Sequence, residues 1–325
     1  MVQVAVMLVN MGAPDSLDSV KPYLFNLFSD AAIIDVPIPG VIRRLLARLL
    51  ANRRYKKSIN IYKQIGGKSP LSEITDVQCQ RVESRLNRQY SFRFRVFPTM
   101  RYWHPKIEDV WHEVVEQGFS KIVILPLYPF YSITTSQSIF TLIDKLNQGR
   151  TAQKSDLMMI NSFGNHPQFI EAIIHQIETA LESYPDIRDI LLSAHSIPMK
   201  SVKKGDLYLA EITMAFRQLN HHFNGNRRLH LSFQSKLGPL KWLAPSTIDK
   251  ISEIAAQGVR NLMVYPFGFV SDNSETVYEL DIQMKKLALE KGILNYIRVD
   301  ALNDDDFFIE TLHTLIMNKL NEAET

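Results

Sequence analysis

The chain contains one passage twice, and that duplication constrains its fold more than any other feature. Pro105-Lys-Ile-Glu-Asp109, Glu113, Gln117-Gly118 and Lys121-Ile-Val-Ile-Leu-Pro126 run in step with Pro245-Ser-Thr-Ile-Asp249, Glu253, Gln257-Gly258 and Asn261-Leu-Met-Val-Tyr-Pro266. Each copy reads as a helix, a glycine stop and a buried strand ending at a proline. The continuations differ. Tyr128-Pro-Phe-Tyr-Ser132 follows the first copy, whereas Phe267-Gly-Phe-Val-Ser-Asp272-Asn-Ser-Glu275-Thr-Val-Tyr-Glu279 follows the second. A duplicated scaffold with aromatics at one strand end and carboxylates at the other predicts a cleft enzyme.

Continuous apolar runs occur at Val4–Val9, Phe92–Phe97, Lys121–Leu125, Leu157–Ile160, Ile190–Ala194, Leu229–Phe233, Leu262–Tyr265 and Ile297–Val299. Helical patterns such as Ser72–Leu86, Gln168–Glu182 and Gly205–Leu219 lie between them. Strands without polar alternation, separated by helices, predict parallel sheets covered on both faces. The expected class is therefore α/β, with two similar doubly wound domains at residues 1–165 and 166–325; a chain of 325 residues, 46% hydrophobic, is long enough for both. The final helix, from about Asp304 as N-cap to Leu320, is counted with the second domain, its packing partner left open. Ligands of open parallel sheets bind beyond the carboxyl ends of the strands. That rule selects Asn10 and Met11, Met100 and Arg101, Tyr128–Ser132, His195 and Ser196, Gln234–Lys236, and Phe267–Glu275, with the substrate expected between the domains.

A formal net charge of +3, without basic and aromatic residues interleaved along a groove, excludes nucleic acid as the partner. The single cysteine, Cys79, excludes a disulfide framework and a cluster held by several thiolates. No apolar run approaches the roughly 18 residues of a membrane span, and no basic leader opens the chain, so a cytoplasmic protein is expected. One segment departs from this plain composition. Residues 41–57, VIRRLLARLLANRRYKK, hold seven basic residues and no acid, with Ile42, Leu45, Leu46, Leu49 and Leu50 at helical spacing. They read either as a surface helix with its stripe in the core or as a basic amphipathic helix at the mouth of a site or on an anionic membrane.

Two groups of residues carry chemistry. His195 ends the strand Asp189-Ile-Leu-Leu-Ser-Ala194, where an imidazole exchanges protons near neutral pH; its bland alternative is a histidine satisfied by loop carbonyls. Glu275 and Glu279 stand four apart at the start of a helix after Ser271-Asp272, so their carboxylates share a face and, with Asp272, concentrate negative charge. Such oxygen clusters hold divalent metals or relay protons; the alternative is an N-cap aspartate with solvated first-turn acids. Gly66-Gly67-Lys68-Ser69 lacks the first glycine of a phosphate loop, and Ser201-Val-Lys-Lys204 with Ser271-Asp-Asn273 lacks the Lys-Thr-Gly of the penicillin-binding enzymes.

Taken together, Leu8-Val-Asn-Met-Gly-Ala-Pro14, Tyr62-Lys-Gln-Ile-Gly-Gly-Lys-Ser-Pro70, Met100-Arg-Tyr102, Leu125-Pro-Leu-Tyr-Pro-Phe-Tyr-Ser132, Ser193-Ala-His-Ser-Ile-Pro198, Phe233-Gln-Ser-Lys-Leu-Gly-Pro239 with Trp242-Leu, and Phe269-Val-Ser-Asp through Asp281 resemble the ferrochelatases nearly end to end. The resemblance implies a chelatase-like fold of two Rossmann-like domains around a cleft. It implies His195 as proton acceptor or metal-facing ligand, Glu275 as its partner, and His195, Glu275 and Glu279 of the acidic helix as the residues that meet the metal. Met11, Tyr131, Trp242 and Phe269 would grip the ring faces of a porphyrin and favour a bent conformer, and Arg101 and Ser69 would meet its propionates. The chain departs from many relatives in having Asn273 where they carry histidine, in lacking arginines near Gln64 and after Asp30, and in lacking a cysteine-bearing tail for a two-iron two-sulfur cluster. The 41–57 helix would form a lip able to rest on the inner face of a membrane.

The function implied is insertion of ferrous iron into protoporphyrin IX to form protohaem, the final step of haem biosynthesis, with iron and porphyrin as substrates and no tightly bound cofactor. The alternatives are a coproporphyrin ferrochelatase and a non-catalytic porphyrin or haem carrier. A cobalt chelatase fits less well, since such enzymes tend to present paired histidines and only His195 is so placed.

Overall fold

All the apolar runs become strands, as continuous Val, Ile and Leu segments do when both faces of a parallel sheet are covered. The computed structural model describes residues 3–34, 36–89, 93–148, 155–236 and 240–323. Phe92, expected to open the second strand, and the Leu237–Pro239 motif lie outside the described residues. In order, the first elements are β1 (Gln3–Asn10), α1 (Val20–Ser29), α2 (Gly40–Gln64), α3 (Leu71–Gln89), β2 (Arg93–Met100), α4 (Ile107–Glu116), β3 (Lys121–Pro126), α5 (Ser136–Gln148) and β4 (Asp156–Met159). The remainder are α6 (Pro167–Ser183), β5 (Asp189–His195), α7 (Met199–Lys203), α8 (Tyr208–Phe223), β6 (Arg228–Gln234), α9 (Thr247–Ala256), β7 (Asn261–Pro266), a π-helix (Glu275–Met284), α10 (Lys285–Glu290), β8 (Asn295–Arg298) and α11 (Asp306–Glu322).

The duplication is visible in the sheets. One has the order β2-β1-β3-β4 and the other β6-β5-β7-β8, every pair parallel. Parallel register lines up the carboxyl ends: Asn10 pairs with Met100 in the first sheet, His195 with Gln234 in the second. The glycine stops recur as well. Gly118 and Gly258 end α4 and α9 at φ +70° and +85°, with their N–H groups donating to Val115 and Ala255 at 3.1 and 3.0 Å. A left-handed residue at that position is available to glycine without steric cost, which is why both copies keep it.

Contacts divide the chain into two compact units. The first comprises Met1–Tyr128, Ser132–Ser162 and Ile309–Thr325; the second comprises Pro129–Tyr131 and Phe163–Phe308. Most of α11 thus counts with the first unit rather than the second, for its buried face (Leu312, Ile316, Leu320) finds cover there and Arg85 of α3 pairs with Glu310. The helix starts later than expected. Asp305, not Asp304, caps it, its Oδ1 accepting the N–H groups of Phe307 and Phe308 at 2.9 and 3.3 Å.

The basic helix α2 contradicts the reading that buries its leucine stripe. Ala47 and Ala51 face inward, the latter in a cluster with Val20, Tyr23, Leu24, Tyr62 and Tyr102, while Val41 is 74% and Leu49 67% exposed. Alanines four apart let α1 approach closely, and Ile42, Leu45 and Leu49 turn to solvent beside Arg44 and Arg48, while Leu46 and Leu50 stay partly covered. Among the described residues no helix is long and apolar enough to cross a membrane.

Candidate active site

In the second unit, three neighbouring strand ends meet. His195 is the last residue of the central strand β5, Gln234 the last of β6, and the chain leaving β7 turns into the π-helix that begins at Glu275. His195 Nε2 lies 3.2 Å from Glu275 Oε1, and its Nδ1 lies 2.7 Å from the Ser196 carbonyl. With an acceptor at each ring nitrogen, the imidazole is matched as a cation. Burial alone would depress its proton affinity, but the Glu275 carboxylate, with Glu279 beyond it, outweighs burial and pushes the pKa up to about 9. The ring is nonetheless 40% exposed, so water screens part of that attraction. Behind the ring, the buried phenol of Tyr208 donates to the His195 carbonyl at 2.9 Å.

The acidic helix is not the ordinary helix expected. It is wound with i→i+5 hydrogen bonding over Glu275–Met284, a form that recurs at functional sites. Glu275 and Glu279 both engage the strand ends. Glu279 Oε1 accepts the Ser235 N–H at 2.8 Å and its Oε2 accepts the Ser235 hydroxyl at 2.5 Å. Burial raises the proton affinity of Glu279, the Ser235 donors lower it, and Glu275 raises it again, leaving it above the usual carboxylate range. Gln234 Nε2 donates to the Glu275 carbonyl at 3.1 Å, and its Oε1 accepts from Ser193 of β5 at 2.7 Å. The amide thereby links the His195 strand to the helix carrying Glu275.

Asp272 does not join this cluster, nor is it the N-cap of a helix with solvated first-turn acids. Buried, it accepts from Arg298 Nη1 at 2.9 Å, Thr276 Oγ1 at 2.6 Å and Asn303 Nδ2 at 2.9 Å, so its charge is matched internally. The partners come from 26 and 31 residues away in sequence, beyond the reach of a local reading. Asn273 follows it, and its Oδ1 accepts the Glu275 N–H at 2.7 Å.

Among the aromatic candidates, Phe269 is half-buried with its ring 6.5 Å from that of His195. Gly268 makes this possible: it sits at φ +90°, and a Cβ there would lie 3.3 Å from the Phe130 ring. Trp242 is half-buried and its backbone bridges to Pro198, three residues past His195. Tyr131, half-buried in the same unit, is held through its backbone N–H by Glu211 Oε2 at 2.8 Å.

Met11, Arg101 and Ser69 belong to the first unit. Met11 packs against the Val20, Tyr23 and Leu24 cluster, and its carbonyl accepts the Tyr102 N–H at 2.9 Å. Arg101 gives Nη2 to Asp30 at 2.7 Å and Nε to Ser138 at 3.1 Å. Asp30 also accepts from Tyr102 and Ser138, each at 2.8 Å. Burial opposes ionisation of Asp30, yet Arg101 and these donors hold it below the usual carboxylate range. Ser69 is buried and its hydroxyl accepts the Leu71 N–H at 3.4 Å, at the start of α3. Of the expected residues, His195, Glu275, Glu279 and Phe269 are thus brought together.

Gln234 and Tyr208 were legible only as a strand-end residue and a helix residue. Ser235 had one local signal, its place after a strand, but the clasp on Glu279 spans 44 residues.

A family model described as Ferrochelatase matches residues 3–320. The chain is 40% identical over 325 residues to the ferrochelatase of Trichodesmium erythraeum, covering 99% of this chain and 84% of that one. It is 38% identical over 321 residues to the ferrochelatase of Geotalea daltonii, with 98% of each covered. It is 38% identical over 315 residues to the ferrochelatase of Aquifex aeolicus, covering 97% and 99%. Among solved structures it is similar to SirB from Bacillus subtilis with Fe3+ (TM-score 0.57, 11% identity, 100% and 98% covered) and to CbiX, the terminal enzyme for biosynthesis of siroheme in denitrifying bacteria (TM-score 0.51, 12% identity, 97% and 98% covered). At such identity the structural likeness shows the fold alone.

Proposed function

Since the chain belongs to the ferrochelatase family, we propose that it inserts ferrous iron into protoporphyrin IX, with His195 and Glu275 as the groups that meet the metal and the departing protons. As a member it is a metal–porphyrin chelatase of haem biosynthesis, with porphyrin and ferrous iron as substrates. The observation that carries the assignment of residues is the 3.2 Å contact between His195 and Glu275 at adjoining strand ends.

Insertion removes two pyrrole protons for each metal ion, so the site has to release protons while holding a dication. The resting imidazole already holds one, stabilised by Glu275. A ferrous ion arriving beside the pair repels that proton, because both nitrogen and carboxylate then serve the metal better than the proton. Once the ion moves on to the macrocycle, the neutral imidazole accepts one pyrrole proton and the pair returns to its resting charge, while the second pyrrole proton and the one the ion displaced pass to water, which reaches the partly exposed ring. Glu279 lies close enough to strengthen the field on the same ion. Phe269, Tyr131 and Trp242 supply apolar surface for a ring face, and binding that favours a bent macrocycle exposes the nitrogen lone pairs.

One feature supports protoporphyrin over a porphyrin with four carboxylates: Arg101 is already paired with Asp30, which limits the uncompensated positive charge for additional propionates. An enzyme without a bound cluster is supported by the buried Cys79, whose thiol is pushed up by burial and by Asp76 and Glu83. Peripheral membrane contact is supported by the exposed leucines of α2 beside its arginines.

Purified protein given protoporphyrin and ferrous iron under reducing, anaerobic conditions is expected to yield the metalloporphyrin absorption spectrum, and competition with coproporphyrin should leave protoporphyrin the better substrate. His195→Ala should abolish insertion and keep porphyrin binding. Tight porphyrin binding without turnover by the wild type would make the protein a carrier.

A further inference from the structure

We propose that Ser235 is a positioning residue for the metal-insertion reaction, clipping the Glu279 carboxylate in the orientation from which it meets the incoming ion. This rests on the reading of Glu279 as metal-facing. Ser235 follows β6 at φ +65°, in the left-handed region that L-residues with a side chain rarely occupy. A glycine would take that backbone without steric conflict. What serine adds is a hydroxyl, and the hydroxyl is in use: it donates to Glu279 Oε2 at 2.5 Å while the Ser235 N–H donates to Oε1 at 2.8 Å. One donor on each oxygen fixes the plane of the carboxylate, and each oxygen retains a lone pair for another partner.

The turn that carries the clip also anchors the other acid. Gln234, buried and tied to Ser193, donates to the carbonyl of Glu275. Two consecutive residues at the end of β6 thus hold Glu275 by its backbone and Glu279 by its side chain. An unfavourable backbone conformation kept at a strand end, with both its donors on one carboxylate, is the pattern expected when local strain serves a site.

The test is steady-state kinetics with ferrous iron varied at saturating porphyrin, and the reverse, for Ser235→Gly, Glu279→Gln and the double variant, with thermal unfolding in parallel. Ser235→Gly should keep or raise the Tm, since glycine tolerates the backbone. Its KM for iron should rise about tenfold, as for loss of a group that orients a ligand, with KM for porphyrin unchanged and kcat little altered. Added to Glu279→Gln, it should produce no further rise in KM, because the residue it orients is already disabled. Ser235→Ala, which differs from serine by the hydroxyl alone, should repeat the KM effect and serves if the glycine variant fails to fold. A wild-type KM for iron in both Ser235 variants, while Glu279→Gln raises it, overturns the clip and leaves the reading of Glu279 standing. A wild-type KM in Glu279→Gln removes that reading and the clip with it.

Discussion

Asn273 holds the backbone of Glu275 and not its carboxylate: the side-chain Oδ1 accepts the Glu275 N–H at 2.7 Å, and the Asn273 carbonyl accepts the Val277 N–H at 2.9 Å. The residue therefore starts the π-helix as a cap does. An amide takes up no proton at neutral pH, so any route for protons in this protein runs through other groups. Replacing Asn273 by Ala should lower stability by about 1 kcal/mol, the usual loss for a cap, measurable as a lower urea midpoint. Porphyrin metallation should persist. A complete loss of turnover in a folded Asn273→Ala protein would put the position in the reaction itself.

The His195–Glu275 pair gives a signed pH dependence. The folded imidazole titrates at about 9 against an ordinary value near 6.5. Its contribution to stability is therefore fully present below about pH 6.5 and is lost as pH rises through 9. Glu275→Gln should reduce stability at pH 6 by on the order of 1 kcal/mol, after allowance for solvent screening of a partly exposed pair, and should converge with wild type above pH 9. Imidazole NMR titration of the two proteins checks the same point directly: the His195 resonance should move to a lower pKa in the variant.

Asp30 has the opposite sign. Its depressed affinity for protons means that its stabilising contribution is present above the ordinary carboxylate range, near pH 4, and is lost as pH falls through the folded value. Asp30→Asn should cost about 3 kcal/mol at neutral pH by leaving the Arg101 guanidinium without its counter-ion. The cost should shrink in acid, where the wild type loses the same interaction. Chemical unfolding at pH 7 and pH 3 measures both limbs.

The outward stripe of α2 predicts binding to anionic lipid. Vesicles containing phosphatidylserine should carry the protein down on sedimentation, neutral vesicles should not, and salt should weaken the association. Changing both Leu45 and Leu49 to Ser should reduce partitioning at least about tenfold, given the apolar area each presents. Equal partitioning of the double variant would assign the stripe some other purpose.

Much of the fold was legible because its signals are local. A continuous Val, Ile and Leu run such as Lys121–Pro126 carries its own instruction to form a buried strand, and Gly118 and Gly258 mark helix ends through a conformation that only glycine adopts cheaply. The position of His195 at a strand end, and hence its candidacy, followed from the same pattern. Where local pattern misled, a distant partner was responsible. Asp272 reads as a cap or a site acid until Arg298 and Asn303 arrive to neutralise it, and the leucines of α2 read equally as core or as an outward stripe until Ala47 and Ala51 take the inner face.

What the chain's residues determined by themselves was therefore the inventory: two copies of one α/β plan, the strand ends, and the imidazole and carboxylates that stand on them. Only tertiary structure decided which of those charges are already satisfied and which stay available for chemistry. Asp272, Asp30 and Arg101 are matched internally, whereas His195 and Glu275 are left partly open with one proton between them. The physical reason is that a charge is tuned by whatever lies within a few ångströms, and those neighbours come from segments tens of residues apart that only folding brings together.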